Sequence, residues 1–205
     1  MSEKIVLIDG HSILNRAFYG LPDLTNSEGL HTNAIYGFLT IMFKILEEEK
    51  PEYLTVAFDV HAPTFRHLMY EEYKGTRKPM ADELRQQVPV IKEVLKAMGV
   101  CVIEQAGLEA DDLLGTISKR CETKGIEVAV ISGDRDLLQL ATDKIKIRIP
   151  KTKQGRTEIE DYYSADVKCT IFIDGKHTTE FLPGNPNFHN KPYSVSLLKP
   201  FHSSD

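Results

Sequence analysis

Ile5-Val6-Leu7-Ile8-Asp9-Gly10-His11-Ser12 is an unbroken apolar run that ends on a carboxylate and passes into a polar turn. A short, β-rich run of this kind reads as a buried first strand. A carboxylate at the end of a buried strand carries a desolvation cost unless something compensates it. The placement recurs: Asp59 follows Leu54 to Phe58, Asp134 and Asp136 follow Val128 to Ser132, and Glu109, Asp111 and Asp112 stand in Glu-Ala-Asp-Asp. Open α/β sheets place ligand sites at the carboxyl ends of their strands. All seven acids are therefore expected to converge on one rim.

Outward from that run, a short helix through Ala17 is expected after the Gly10-His11-Ser12 turn. Asn33 to Glu48 has helical period, with Ile35, Phe38, Leu39, Met42, Ile45 and Leu46 as its apolar stripe. Further strands are expected at Tyr53 to Phe58, Val100 to Ile103, Glu127 to Ile131 and Ile145 to Ile149. Helices are expected at Asp82 to Met98, Glu109 to Thr123 and Asp136 to Leu140, with Pro89 kinking or restarting the first. This alternation predicts a three-layer α/β fold around a central, mainly parallel sheet. After Lys168 the pattern changes. Pro183, Pro186, Pro192 and Pro200 punctuate a tail whose one short apolar run, Thr170 to Ile173, offers an edge strand. The chain thus divides into a domain over residues 1–168 and an irregular tail over 169–205.

A length of 205 residues with 41% hydrophobic content suits one well-buried domain plus a short appendage. With 25 basic and 30 acidic residues there is no global positive field for nucleic acid, so any such binding must be local. Cys101, Cys121 and Cys169 form no Cys-x-x-Cys, which argues against a disulfide framework or a zinc knuckle and fits a reducing cytoplasm. The first apolar run is too short for a signal peptide, and no stretch is long enough to span a membrane. A soluble, cytoplasmic monomer is expected.

The acids also have a purely structural reading. Glu109, Asp111 and Asp112 open a helix, where capping and the macrodipole favour carboxylates, and one of Asp134 and Asp136 suffices as an N-cap. Capping leaves Asp9 and Asp59 unexplained. So many carboxylates on one rim would raise one another's pKa unless a cation neutralised them, and oxygen-only ligation suits Mg²⁺ or Mn²⁺. Arg66-His67 and Tyr73-Lys74-Gly75-Thr76-Arg77-Lys78-Pro79 emerge over the same rim. Lys74, Arg77 and Lys78 are candidate phosphate contacts, with Tyr73 or Tyr70 available to stack on a base, although Glu71 and Glu72 dilute the positive charge.

Ile-Asp-Gly-His-Ser at Ile8 to Ser12, Phe58-Asp59, Phe-Arg-His at Phe65 to His67, Tyr73 to Pro79, Glu109 to Asp112 and Ser-Gly-Asp-Arg-Asp at Ser132 to Asp136 together resemble the N-terminal 5'-nuclease domain of bacterial DNA polymerases I. That family belongs with the flap endonucleases and has a PIN-like, Rossmann-like fold. The resemblance implies a structure-selective 5'-3' exonuclease that removes 5' flaps and RNA primers in replication and repair. It also implies two divalent ions, Mg²⁺ or Mn²⁺, acting on a phosphodiester. By motif, Asp9, Asp59, Glu109, Asp111 and Asp112 would form the first-metal cluster, and Asp134 and Asp136 would extend toward the second. Tyr73 to Lys78 resembles the family's helical arch, in which Lys74 and Arg77 would polarise the scissile phosphate. Arg66 would be a further phosphate contact.

After Asp166-Val167-Lys168 the family continues into Gly-Asp-x-x-Asp-Asn and a helix-hairpin-helix, and neither occurs here. An impaired second metal site and a weaker grip on duplex DNA are expected. Three other readings stand beside this one: a non-catalytic DNA-junction binding module, a small PIN-type ribonuclease, and a Toprim-like site using Asp134 and Asp136. The last wants a glutamate after its first strand, where this chain has Asp9.

Overall fold

The computed structural model describes residues 3–60, 62–69, 79–153, 156–163, 170–173 and 176–179. The first strand, β1 (Lys4–Asp9), pairs in parallel with β2 (Tyr53–Ala57) on one side and β4 (Glu127–Ile131) on the other. β3 (Cys101–Ile103) extends the sheet beyond β2, and β5 (Ile145–Lys153) extends it beyond β4. An antiparallel edge strand, β6 (Arg156–Tyr162), completes six strands in the order β3-β2-β1-β4-β5-β6. The chain order therefore reverses at β1, which places a crevice between the carboxyl ends of β1 and β4.

Alternation along β1 divides the core. Val6 and Ile8 pack under α1 (Gly10–Gly20), α2 (Asn33–Glu49) and α4 (Asp82–Ala97), through Leu14, Phe38, Met42, Ile91 and Leu95. Ile5 and Leu7 face the other way, toward Leu113 and Leu114 of α5 (Ala110–Thr123) and Leu137 and Leu140 of a 3₁₀ turn (Arg135–Leu140). This is a three-layer, PIN-like α/β arrangement.

Three local expectations are corrected. Gly10-His11-Ser12 is not a separate turn but the first turn of α1, because Asp9 caps the helix by accepting the Ser12 N–H at 3.0 Å. The helix α4 runs unbroken through Pro89, which lies on its exposed face. Leu84 and Gln87 before the proline, and Ile91 and Leu95 after it, are buried and hold both halves to the core. Thr170–Ile173 is a strand, β7, but it pairs with β8 (Lys176–Thr179) in a two-stranded antiparallel sheet rather than edging the main one. No helix among the described residues is long and apolar enough to cross a membrane.

Two polar networks lock the helices to the sheet. Gln87 of α4 accepts the N–H groups of Ala34 and Ile35 at 2.9 and 3.2 Å, supplying from a neighbouring helix the cap that α2 lacks locally. Glu49 at the end of α2 is 6% exposed and pairs with Lys4 at 3.0 Å, Lys146 at 2.7 Å and Arg148 at 2.7 Å. Arg148 also reaches Glu48 at 2.6 Å and Asp161 at 2.7 Å.

Gly10 permits the β1–α1 junction to close on Phe58, since a Cβ there would lie 2.4 Å from the phenyl ring. Gly10→Ala is expected to cost about 1–3 kcal/mol through overpacking, read as a lower urea midpoint with unchanged slope.

Candidate metal centre

The rim is built by helices that start where strands stop. Asp9 ends β1 and is 6% exposed; its Oδ1 accepts the Ser12 N–H at 3.0 Å and its Oδ2 accepts the Ser132 hydroxyl at 2.8 Å. Burial, reinforced by the charges of Asp59 and Asp134, pushes its pKa up to about 6 against the pull of those two hydrogen bonds. Asp59, beyond the end of β2, is exposed and accepts the Ala110 N–H at 2.6 Å, while its own N–H donates to His11 Nδ1 at 3.1 Å. Asp134 accepts the Asp136 N–H at 2.9 Å and so caps the 3₁₀ turn. Capping and clustering are thus not alternatives. The same carboxylates do both, because helix N-termini open onto the rim where the strands end.

Asp111 differs from the rest. Among the described residues it has no hydrogen-bond or ion-pair partner, and burial together with the charges of Asp9, Asp134, Asp59 and Glu109 raises its pKa to about 7. The carboxylates of Asp9, Asp59, Glu109, Asp111 and Asp134 therefore share one electrostatic neighbourhood. Asp112 and Asp136 are not among the charges acting most strongly on Asp9 or Asp111. Asp136 is exposed, and Asp112 engages Arg66 through two hydrogen bonds of 2.7 and 2.8 Å. Arg66 also lies 3.6 Å from Glu109, so it faces carboxylates here rather than an open phosphate subsite. Tyr73, Lys74, Arg77 and Lys78 lie outside the described residues.

Three rim residues escaped the reading of the sequence. Ser132 is fully buried and joins Asp9, through its hydroxyl, to the Asp134 N–H at 3.0 Å. Ser12 accepts the Gly133 N–H at 2.8 Å, tying α1 to the β4 loop. Arg16 of α1 leans over Gly133, and its Nε, closed off from solvent, has no hydrogen-bond partner among the described residues. A serine three residues after Asp9 is a capping signal, but nothing local links Ser132 to an aspartate 123 residues away.

The donor chemistry fits a hard divalent cation: oxygen ligands only, and a carboxylate whose charge no neighbour among the described residues neutralises. As folded, no three His, Cys, Asp or Glu side chains among the described residues are drawn into a ligand shell. Like charges hold one another apart, and hydrogen bonds to helix N-termini occupy several of the oxygens.

The model of the family described as "5'-3' exonuclease, N-terminal resolvase-like domain" matches residues 4–169. DNA polymerase I of Bacillus caldotenax is 49% identical over 211 aligned residues, which take in 98% of this chain and 24% of that protein. The 5'-3' exonuclease of Aquifex aeolicus is 42% identical over 156 residues, 76% of this chain and 54% of that one. The chain therefore spans about a quarter of its polymerase relative and about half of the exonuclease. Among solved structures, the D15 flap endonuclease of bacteriophage T5, in a complex with DNA and metal ions, superposes with a TM-score of 0.59 over 80% of this chain and 59% of its own, at 21% identity. That likeness is one of fold. Matching motifs in order along the sheet, a family model covering most of the chain and extensive identity to two curated relatives agree, and the chain belongs to the 5'-3' exonuclease, N-terminal resolvase-like domain family.

Proposed function

We propose that the protein is a metal-dependent 5'-3' exonuclease and 5'-flap endonuclease, hydrolysing phosphodiesters of DNA or of RNA primers in replication and repair. The observation that carries this is Asp111: a carboxylate without a partner among the described residues, close to four others at the carboxyl ends of parallel strands. Such an arrangement has no structural economy unless a cation joins it. The relatives' names, DNA polymerase I and 5'-3' exonuclease, support the same reading, as does the DNA and metal ions of the T5 flap endonuclease complex.

Asp9, Asp59, Glu109 and Asp111 would hold the first Mg²⁺ or Mn²⁺, and Asp134 with Asp136 would contribute toward a second. A bound divalent cation supplies Lewis acidity and neutralises charge that develops on the phosphate oxygens. Ser132 and Ser12 keep Asp9 in one orientation from both sides of the β1/β4 crevice, which is what an ordered ligand needs. Lys74, Arg77 and Lys78 would hold backbone phosphates of a 5' flap or branched DNA, with Tyr73 stacking on a base. The chain would act as a cytoplasmic monomer.

Incubation with an end-labelled 5'-flap duplex tests the proposal. Cleavage is expected with Mn²⁺, more slowly with Mg²⁺, and none with EDTA. Retention of the flap duplex without cleavage under any divalent cation would make the chain a DNA-junction binding module instead.

A further inference from the structure

We infer that Ser12 and Ser132 form a two-serine latch that holds the crevice between β1 and β4 at one width, and that this fixed width lets the rim discriminate Mg²⁺ from the larger Ca²⁺. The inference rests on the proposed metal-dependent activity and names positioning residues for it, not further ligands.

Backbone pairing of β1 with β4 ends at Ile8 and Ile131. Beyond that point the two chain paths part. α1 leaves β1 to pack on one face of the sheet through Ile13 and Leu14, and the 3₁₀ turn after β4 packs on the other through Leu137 and Leu140. A reversal of this kind opens a crevice at the strand ends, and the ladder no longer sets its width.

Two serines take over from the ladder. The Ser132 hydroxyl is fully buried, donates to Asp9 Oδ2 at 2.8 Å and accepts the Asp134 N–H at 3.0 Å. From the opposite side, Ser12 donates its N–H to Asp9 Oδ1 at 3.0 Å, and its hydroxyl accepts the Gly133 N–H at 2.8 Å. Each wall of the crevice thus supplies a serine whose hydroxyl is held by the other wall. The Ser132 N–H donates to the Arg148 carbonyl at 3.3 Å, which ties that serine to β5 behind it. Gly133 allows the close approach, since a Cβ there would lie 3.0 Å from the Ser12 hydroxyl oxygen.

Both oxygens of Asp9 are therefore oriented by neutral donors. A neutral hydrogen bond fixes the direction of a carboxylate without cancelling its charge, so the charge stays available to a cation. A serine hydroxyl has one proton to give. Ser132 gives it to Asp9 while the same oxygen accepts from Asp134, so a single atom spaces Asp9 from the start of the 3₁₀ turn. Mg²⁺ demands near-ideal octahedral geometry at about 2.0–2.1 Å, whereas Ca²⁺ accepts wider, more flexible shells at about 2.3–2.6 Å. Asp9 stands on one wall and Asp134 on the other, so a latch between the walls acts on the quantity that separates the two ions.

The test compares Ser12→Ala, Ser132→Ala, their double variant and Ser12→Thr with the unaltered chain. It reads amide hydrogen exchange without metal, and calorimetric titration with Mg²⁺ and with Ca²⁺. Without metal, Ser132→Ala is expected to speed exchange at Gly133, whose N–H it does not touch, and Ser12→Ala to speed exchange at Asp134, each about tenfold. Mg²⁺ affinity should fall about tenfold in either single variant and little further in the double, while Ca²⁺ affinity stays within about threefold. Ser12→Thr, which keeps the hydroxyl, should behave as the unaltered chain does. If each alanine changes exchange only at the N–H its own hydroxyl had held, the serines do not act together and the inference falls. It falls equally if Mg²⁺ and Ca²⁺ affinities drop in the same proportion, since the serines are then merely structural. If the unaltered chain binds neither ion, the metal reading of the rim fails and takes the selectivity with it, while the exchange comparison still decides the latch. Should Ser132→Ala not fold, Ser12→Ala and Ser12→Thr carry both measurements.

Discussion

Asp111→Asn is expected to abolish most metal-dependent cleavage, by about two orders of magnitude, and at the same time to make the metal-free protein more stable at pH 8. The first effect is the scale seen when one electrostatic contact to a reacting group is removed. The second follows from linkage. In the fold the Asp111 carboxyl is pushed up to about 7 from 3.8, by burial and then by Asp9, Asp134, Asp59 and Glu109. Between those values the folded state holds a proton that the unfolded chain has released, so stability falls as pH rises. The contribution is fully present below pH 3.8 and is lost as pH passes about 7. Asp9, raised to about 6, acts in the same direction over a narrower window. Asparagine carries no charge to desolvate, so the variant should gain on the order of a few kcal/mol at pH 8 without metal and almost nothing at pH 4. Mn²⁺ should raise the melting temperature of the unaltered chain, by binding the native state alone, and should do far less for the variant. Thermal melts at pH 4 and pH 8, with and without Mn²⁺, check all of this. A variant that melts lower than its parent at pH 8 without metal would show that Asp111 is a structural carboxylate.

Glu49→Gln is expected to produce the largest loss of stability of any single neutralising change away from the rim. Glu49 is the shared counter-charge of Lys4, Lys146 and Arg148, the last of which is 6% exposed. Removing one partner of a buried ion pair leaves the other charge uncompensated and costs about 3–5 kcal/mol. Burial alone would raise the Glu49 pKa, but hydrogen bonds from Lys146 and Lys4 and the charges of Lys146 and Arg148 hold it below the ordinary value of 4.5. Stability from this group is therefore present above pH 4.5 and is lost as pH falls through the lower folded value. Urea unfolding should show the loss at pH 7 and a narrowing gap between variant and parent toward pH 3. Equal midpoints at pH 7 would mean that Glu48 and Asp161 neutralise the cluster unaided.

What was legible in the sequence was whatever depends on local period and on the direction of strands. β1, β2 and β4 are largely apolar runs, β5 opens on isoleucines at every second position, and α2 and α5 carry apolar stripes at helical spacing. Because the strands are parallel, acids placed just after them reach one edge whatever lies between, which is why Asp9, Asp59, Glu109, Asp111 and Asp134 could be grouped from the sequence. β6 was not legible. Arg156–Tyr162 alternates charged and polar residues around Ile159, a pattern that suits a solvated edge strand as well as it suits a loop. The five-residue helix α3 (Phe65–Met69) is too short to show a period.

The sequence by itself determined the layer order and the collection of carboxylates on the rim, since strand direction and helix starts follow from residues close together in the chain. Only the tertiary structure decided which carboxylate does what. Asp9 is held by a serine 123 residues away, Asp112 is taken by Arg66 at a separation of 46, and Arg148 meets Glu48 across 100. A hydrogen bond or ion pair depends on ångström distances between groups that no local pattern relates, so chemically similar acids became helix caps at Asp9 and Asp134, a partner for Arg66 at Asp112 and a carboxylate with no partner among the described residues at Asp111 only when the chain had folded.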